Sequence, residues 1–422
     1  MKSSCEVVNQ SSGLLPLSYV FMSSDTYPPF RVDVTVLFGE EMAERGHNID
    51  WILQSSEKCE RSCELEWNNW TVCVGSTDLG TSRIRRMRKH FLDWKNDYLI
   101  FHLVAKHRYD FIQVKDKFVA ALMGIVAARR NKCAFVYWLS YPYPEASLYA
   151  AKIGTARYRF LFWLRGHAFK FILYKIIARY ADHIFVQSEQ MKRDFLLEGV
   201  PSSIITAVPM GYSPESTLNF IPEDVGDIGP LSIVYIGTLL KTRRFDFMVR
   251  VLARVVEEIP DVVLYMVGPE ELPGDADVLL DEARRLKVSD NLVLTGRLER
   301  HLALSYVAEA GVCVSPFFPT PVLNSTSPTK LIEYMALKKA VVANEHPEQL
   351  QVITESGGGI CVKYDEKPFA EAIITLLHDP KKAEKMGKCG FEYVQQHRTY
   401  SRIAERVESS YRAMLNNKVS AD

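Results

Sequence analysis

The sequence predicts an α/β protein made of two doubly wound parallel sheets in tandem. Three observations lead there. Short β-branched, aliphatic or aromatic runs alternate with longer stretches of helical periodicity, the pattern of βαβ units. The alternation is interrupted once, at 219–230, by a segment rich in Pro, Gly and acids that reads as a linker. The 422 residues suffice for two domains with full cores.

The elements follow in order. Residues 17–22 form the first expected strand, and a helix over 34–45 stops at Gly46, a residue suited to the left-handed conformation. Further strands are expected at 49–53, 70–74, 111–114, 134–139, 183–187 and 204–208. After the linker a second series runs through 232–236, 262–267, 291–294, 311–315, 340–343 and 359–362. The helical residues 381–414 follow without a sheet of their own and can cover either domain. The expected divisions are an N-terminal domain over 1–222, a C-terminal domain over 223–398 and a final segment over 399–422. In such sheets ligands bind outside the carboxyl ends of the strands, so the residues just after strands carry the interest.

Composition narrows the function. The net charge is zero, which excludes a broad attraction to nucleic acid. Residues 1–222 nevertheless hold 27 Lys and Arg against 22 Asp and Glu, so the N-terminal half is basic and the remainder acidic. Either the spread is chance or the N-terminal half meets something anionic. The eight cysteines (Cys5, Cys59, Cys63, Cys73, Cys133, Cys313, Cys361, Cys389) include no C-x2-C pair and no nearby His to complete a zinc site. They read as scattered thiols of a cytosolic protein. The N-terminus has no long apolar run before a cleavage site, so the sequon at Asn69, Trp70 and Thr71 reads as accidental. The most apolar stretch, 160–177, is broken by Arg165, His167, Lys170 and Lys175 on different helical faces, which disfavours a membrane span.

Two loops carry chemistry. After strand 232–236 come Gly237, which permits a tight turn, and the cations Lys241, Arg243 and Arg244. Cations there either face solvent or neutralise a departing diphosphate. After strand 311–315 comes the segment from Ser325 to Ala336. Ser327 is a candidate N-cap and Pro328 a candidate first helical residue. Free amides at that helix start attract an anion, Thr329 adds a hydroxyl and Lys330 a charge. Glu333, one to two turns on, can accept both hydroxyls of a ribose. A capped helix with a surface Glu is the plainer reading of that segment, but the two loops together suit a nucleotide-sugar.

These residues resemble family-four retaining glycosyltransferases of the GT-B fold, two Rossmann-like domains facing a cleft. The likeness is carried by the 241–246 loop and by Ser327, Pro328, Lys330, Glu333, Tyr334, Met335 and Ala336. It extends to Ala181 through Ser188, the Val208 to Gly211 turn, Gly268 after its strand, and Gly296 with Arg297. The resemblance implies that Arg243, with Lys241 or Arg244, holds the donor diphosphate. It implies that Glu333 is the second Glu of the E-x7-E motif and binds ribose, that Ser327 to Lys330 line the phosphates, and that Gly296 and Arg297 lie at the base. It sends the last helix back onto the N-terminal domain. Two departures stand out: the first Glu of the motif is Ser325, and an Arg common after the first-strand Gly is Thr238.

On the N-terminal side, Phe30, Arg31 and Asp33 replace the family's Gly-rich loop and either bind an acceptor or salt-bridge among themselves. Tyr141 and Glu145, after strand 134–139, are offered to an acceptor sugar, and no His general base is found there. The helix expected over 83–98 puts Ile84, Met87, Phe91, Trp94 and Tyr98 on one stripe beside Arg83, Arg85, Arg86, Arg88 and Lys89. It either packs on the sheet or lies on anionic membrane, with the basic aromatic segment 157–175 contributing to the same surface.

The expected function is transfer of a sugar, with retention, from a UDP- or GDP-sugar to an acceptor hydroxyl. The expected acceptor is a lipid-linked glycan of polysaccharide assembly. No metal and no cofactor are expected, and the place is the cytoplasm or the inner membrane face. The rivals are a nucleotide-sugar epimerase of the same fold and a non-catalytic homologue acting as a partner subunit.

Overall fold

The computed structural model describes residues 15–29, 31–56, 62–68, 70–78, 80, 82–215, 220–226 and 228–419. Phe30, Cys5, Cys59, the sequon residue Asn69 and the linker residues 219 and 227 lie outside them. Among the described residues fourteen strands form two sheets.

The N-terminal sheet contains β1 (Ser18–Tyr27), β2 (Asn48–Ser55), β3 (Cys63–Trp67), β4 (Trp70–Val74), β5 (Phe111–Lys115), β6 (Ala134–Leu139), β7 (His183–Val186) and β8 (Ile205–Ala207). Their order is β3-β4-β2-β1-β5-β6-β7-β8, parallel except for β3. Alternation along β1 sends Tyr19 and Phe21 to one face and Val20 and Met22 to the other, each into its own core. Sequence reasoning missed β3. It is an exposed edge strand paired antiparallel to β4, and Asn68 turns between them with positive φ. An Asn between two Trp-bearing runs is a hairpin signal that the sequence did offer. Glu64 and Glu66 put charge on this open edge, which discourages pairing with another chain.

The helix expected over 34–45 is three pieces: Val32–Thr35, a π-turn Leu37–Glu41, and Met42–Glu44. The extra residue in the π-turn lets Leu37, Phe38 and Met42 all reach the core. It also seats Gly39 against the Trp67 ring, where a Cβ would come within 2.6 Å. The stop at Gly46 takes φ +80°.

The helices that position the sites are α1 (Arg83–Asp97), α2 (Phe118–Asn131), α3 (Tyr143–Ile153), α4 (Arg159–Phe171) and α5 (Glu189–Leu197). In the second half they are α6 (Asp246–Glu258), α7 (Arg300–Glu309), α8 (Thr329–Ala336), α9 (Pro347–Ser356) and α10 (Tyr400–Val419). The second sheet holds β9 (Ser232–Ile236), β10 (Val263–Val267), β11 (Leu292–Gly296), β12 (Val312–Ser315), β13 (Val341–Asn344) and β14 (Gly359–Val362). It is all parallel, in the order β11-β10-β9-β12-β13-β14.

The last helix, α10, does not stay with the domain it follows. Tyr400, Ile403, Ala404, Val407, Tyr411 and Met414 enter the core of the N-terminal sheet, where Tyr411 lies 4.4 Å from the Phe111 ring. The crossover is held by backbone bonds from Tyr212 N–H to the Arg398 carbonyl (2.9 Å) and from Tyr400 N–H to the Tyr212 carbonyl (3.1 Å).

Candidate active site

In both sheets the strand order reverses at one place, between β1 and β5 and between β9 and β12. Loops leaving such a pair of strands diverge to opposite sides and open a crevice for ligand. All the charged loops singled out from the sequence leave these strands or their neighbours.

In the second domain the crevice is organised by two tyrosines. Gly237, just after β9, takes φ +148° and donates its N–H to the Val267 carbonyl at 2.9 Å; a Cβ there would lie 2.7 Å from the Tyr235 hydroxyl. Arg243 ends the short turn Lys241–Arg243 and reaches back to that hydroxyl at 3.4 Å. Burial raises the Tyr235 hydroxyl, and the charges of Arg243 and Lys330 both oppose the rise. On the other face of β9, the Tyr334 hydroxyl accepts the Ile236 N–H at 2.9 Å and fastens α8 to the same strand. These two tyrosines bring the Arg243 turn and the Lys330 helix together. The sequence analysis named neither as a site residue; a Tyr closing a strand beside a Gly was the available signal.

The other cations of the turn are placed differently. Arg244, with φ +56°, forms a bidentate pair with Asp246 (3.0 Å), and its guanidinium lies over Phe318. Lys241 is exposed, as are Gly296 and Arg297 after β11. In α8, Glu333 is buried, with one oxygen 2.9 Å from Lys330 Nζ and the other 3.1 Å from Arg300 Nη1. Burial alone would raise this carboxyl; Lys330 and Arg300 outweigh it and hold it below the usual range. Arg300, the first residue of α7, is a further site residue that sequence reasoning missed, because its partner is 33 positions away.

Ser327 does not cap α8. Pro328 takes the N-cap position, Thr329 is half-buried at the first helical position, and the Ser327 hydroxyl is committed elsewhere. It accepts the Met210 N–H (2.9 Å) and donates to Glu348 of α9 (2.7 Å), which Arg398 meets at 3.1 Å. Ser325 is equally committed. Its hydroxyl donates to Asp194 of α5, and its carbonyl accepts from Ser188 at 2.7 Å. At the position of the missing acid the chain therefore carries a latch between domains, buried to 3% exposure.

In the first domain, the loop after β1 is a salt-bridged structure. Lys115, 1% exposed at the end of β5, lies 3.4 Å from Asp33, 3.4 Å from Asp116 and 3.7 Å from Asp25. Burial would strip its proton, but the three carboxylates raise it and keep it charged. Arg31 closes the cluster with Asp33 at 3.4 Å and Ser140 at 3.2 Å, leaving a third of its side chain open. Asp33 is buried within the cluster. Tyr141 is half-buried; burial raises its hydroxyl, and the charge of Arg243 in the other domain opposes the rise. Glu145 turns inward, accepts from the Tyr174 hydroxyl at 3.0 Å, and is raised by burial. Trp138 of β6 is fully buried against Phe38 and Phe185 and is closed to an acceptor sugar.

Two parallel Rossmann-like domains, with charged loops meeting across their carboxyl edges, define the GT-B architecture. The comparisons agree. Residues 33–216 match the model of glycosyltransferase family 4, and residues 230–379 match that of glycosyl transferases group 1. Between them these matches take in most of the chain, which belongs to the family-four, group 1 glycosyltransferases. A curated relative, α-maltose-1-phosphate synthase of Mycolicibacterium smegmatis, is 25% identical over 263 residues; the match spans 57% of this chain and 64% of that protein's length. Among solved structures, sucrose-phosphate synthase of Thermosynechococcus elongatus superposes with a TM-score of 0.68 at 20% identity, over 95% of this chain and all of the other. HepE of Anabaena in complex with UDP-glucose superposes with a TM-score of 0.64 at 13% identity, over 94% of this chain and all of the other.

Proposed function

We propose that this protein transfers a sugar from a UDP- or GDP-sugar to an acceptor hydroxyl, with retention and without a metal. The observation that carries the reading is that Arg243 and Lys330 follow the adjacent strands β9 and β12 at their carboxyl edge, with Lys330 bonded to the buried Glu333 carboxylate. A diphosphate set at the start of α8 meets both cations and the helix amides, and its ribose points along the helix toward Glu333. Positive charge there stabilises the diphosphate as it departs, the work a divalent ion does elsewhere. In this reading Tyr141 and the open part of Arg31, on the first domain, receive the acceptor.

The acceptor in this reading is a lipid-linked glycan at the inner membrane face. A second reading, an acceptor sugar phosphate, is favoured by the partly open Arg31 and by the phosphorylated product in the name of the Mycolicibacterium relative. A donor screen read by diphosphate release, with each acceptor class and with chelator present, separates these readings. Retention is read from the anomeric signal of the product. Free or epimerised sugar without acceptor supports an epimerase instead, and failure of calorimetry to find any bound UDP- or GDP-sugar supports a non-catalytic subunit.

A further inference from the structure

Helix α1 is built inside out. Its polar residues face the protein: the Asn96 amide donates to the Leu53 carbonyl at 2.9 Å, and Asp97, 1% exposed, pairs with Lys117. Its apolar stripe, Ile84, Met87, Phe91, Trp94 and Tyr98, faces out at 50–80% exposure. The core-packing reading of this stripe is thereby overturned: the face that meets the sheet is already satisfied by polar contacts. The exposed positions between the apolar residues include Arg85, Arg88, Lys89 and Lys95, while Asp93 is half-buried and Asp97 is turned inward to Lys117.

Helix α4 repeats the arrangement. It is joined to α3 by Gly166 against Leu148 and by Arg165 bonded to Ser147 at 3.0 Å. Phe160, Leu161, Trp163 and Leu164 stand out at 48–70% exposure. From residue 143 to 175 there are six Lys or Arg against one acid, Glu145, which is turned inward to Tyr174. Both helices touch the start of α2. Asp97 pairs with Lys117, and Phe169 stacks on Phe118 at 4.5 Å. That point directly follows Lys115 and Asp116 of the charged cluster on the carboxyl edge of the sheet.

We propose that the outward faces of α1 and α4 form a platform that docks on a bilayer rich in anionic phospholipid. Two separate aromatic stripes, each flanked by exposed cations that outnumber the acids beside them, with Arg88 paired to Asp78 and Lys170 to Glu198, complement an apolar surface with a negative headgroup layer. No helix among the described residues is long and apolar enough to cross a membrane, so these segments lie on the surface. The platform adjoins the acceptor side of the cleft; only this last consequence, delivery of a lipid-borne acceptor, rests on the function proposed above.

The test is co-sedimentation with vesicles of phosphatidylcholine alone and of phosphatidylcholine mixed with phosphatidylglycerol. The full chain is expected to pellet with the second and not the first. Arg85→Glu, Arg88→Glu and Lys89→Glu together should lower partition roughly 100-fold, since each surface cation contributes about a fivefold factor. Trp94→Ser with Trp163→Ser should release the protein at unchanged charge. Melting curves matching the parent's keep either loss from being unfolding. Absence of binding by the parent, or parent-like binding by both variants, overturns the proposal. So does a lipid-free dimer, seen by light scattering, that the Trp substitutions dissolve, because the stripes would then face a second copy. Donor affinity by calorimetry should be unchanged in all these variants, so the vesicle result and the donor-site result fail separately.

Discussion

Glu333→Ala is the sharpest test of the donor site. In the structure this carboxylate is 6% exposed and bridges Lys330 and Arg300. Hydrogen bonds from two ribose hydroxyls to a charged acceptor contribute about 1.5 kcal/mol or more each, so losing both costs about 3 kcal/mol, over a hundredfold in Kd. The cost to folding is smaller. Lys330 and Arg300 keep 32% and 55% of their side chains in water and can be resolvated, so about 1 kcal/mol is expected, a shift of a few degrees in Tm. Titration gives a second handle. The Glu333 carboxyl is depressed in the folded state, so the stability it contributes is complete above the ordinary glutamate range and is lost as pH falls through its lowered value. Donor binding should therefore show no transition from this group near neutrality. The assay is calorimetry of UDP, UDP-glucose and GDP-mannose on parent, Glu333→Ala and Glu333→Gln, with melting curves for each. A folded Glu333→Ala protein that binds its donor as the parent does would refute the assignment.

The remaining predictions follow from the same geometry. Arg243→Ala should lower kcat by roughly tenfold or more with a smaller change in donor KM, because its charge matters most as the diphosphate leaves; equal losses in a steady-state assay would place it in ground-state binding. Ser325→Glu, which installs the acid common in the family, sets a second carboxylate against Asp194 in a buried seam. It should destabilise the protein by about 2 kcal/mol, and Asp194→Asn should restore most of that in a urea titration. Lys115→Met leaves Asp25, Asp33 and Asp116 with Arg31 as their nearby cation and should cost about 3–5 kcal/mol; an unchanged urea midpoint would count against a charged Lys115. His183 and His346 are pushed down to about 4 by burial. The unfolded chain takes up protons first, so stability should fall as pH drops from the ordinary histidine range toward 4 and then level off. His183→Gln with His346→Gln should flatten that slope in acid titrations followed by circular dichroism.

Much of this was legible in the amino-acid order. Period-two and period-3.6 patterns are written locally, so the parallel strands after 232 were placed to within a residue or two at each end. The Gly46 stop needed only one residue's conformational freedom. The two charged loops of the second domain were legible because each lies in one continuous segment after a strand. What was illegible depended on partners far along the chain. Ser327 looks like an N-cap beside a Pro, yet an amide 117 residues away and a carboxylate 21 residues away claim its hydroxyl. The sequence left open whether Arg31 and Asp33 pair internally; the buried ammonium of Lys115 draws Asp33 into a salt-bridged cluster that Arg31 closes with a third of its side chain still exposed.

The sequence by itself determined the two-sheet architecture and singled out the two charged segments after β9 and β12, because these rest on near-neighbour periodicity and on residue chemistry. Tertiary structure alone decided which cations face the crevice, what Ser325 does and which side of α1 meets water. A local pattern records that a stripe is apolar. Only the polar contacts made by the opposite face, through Asn96 and Asp97, determine that this stripe points outward.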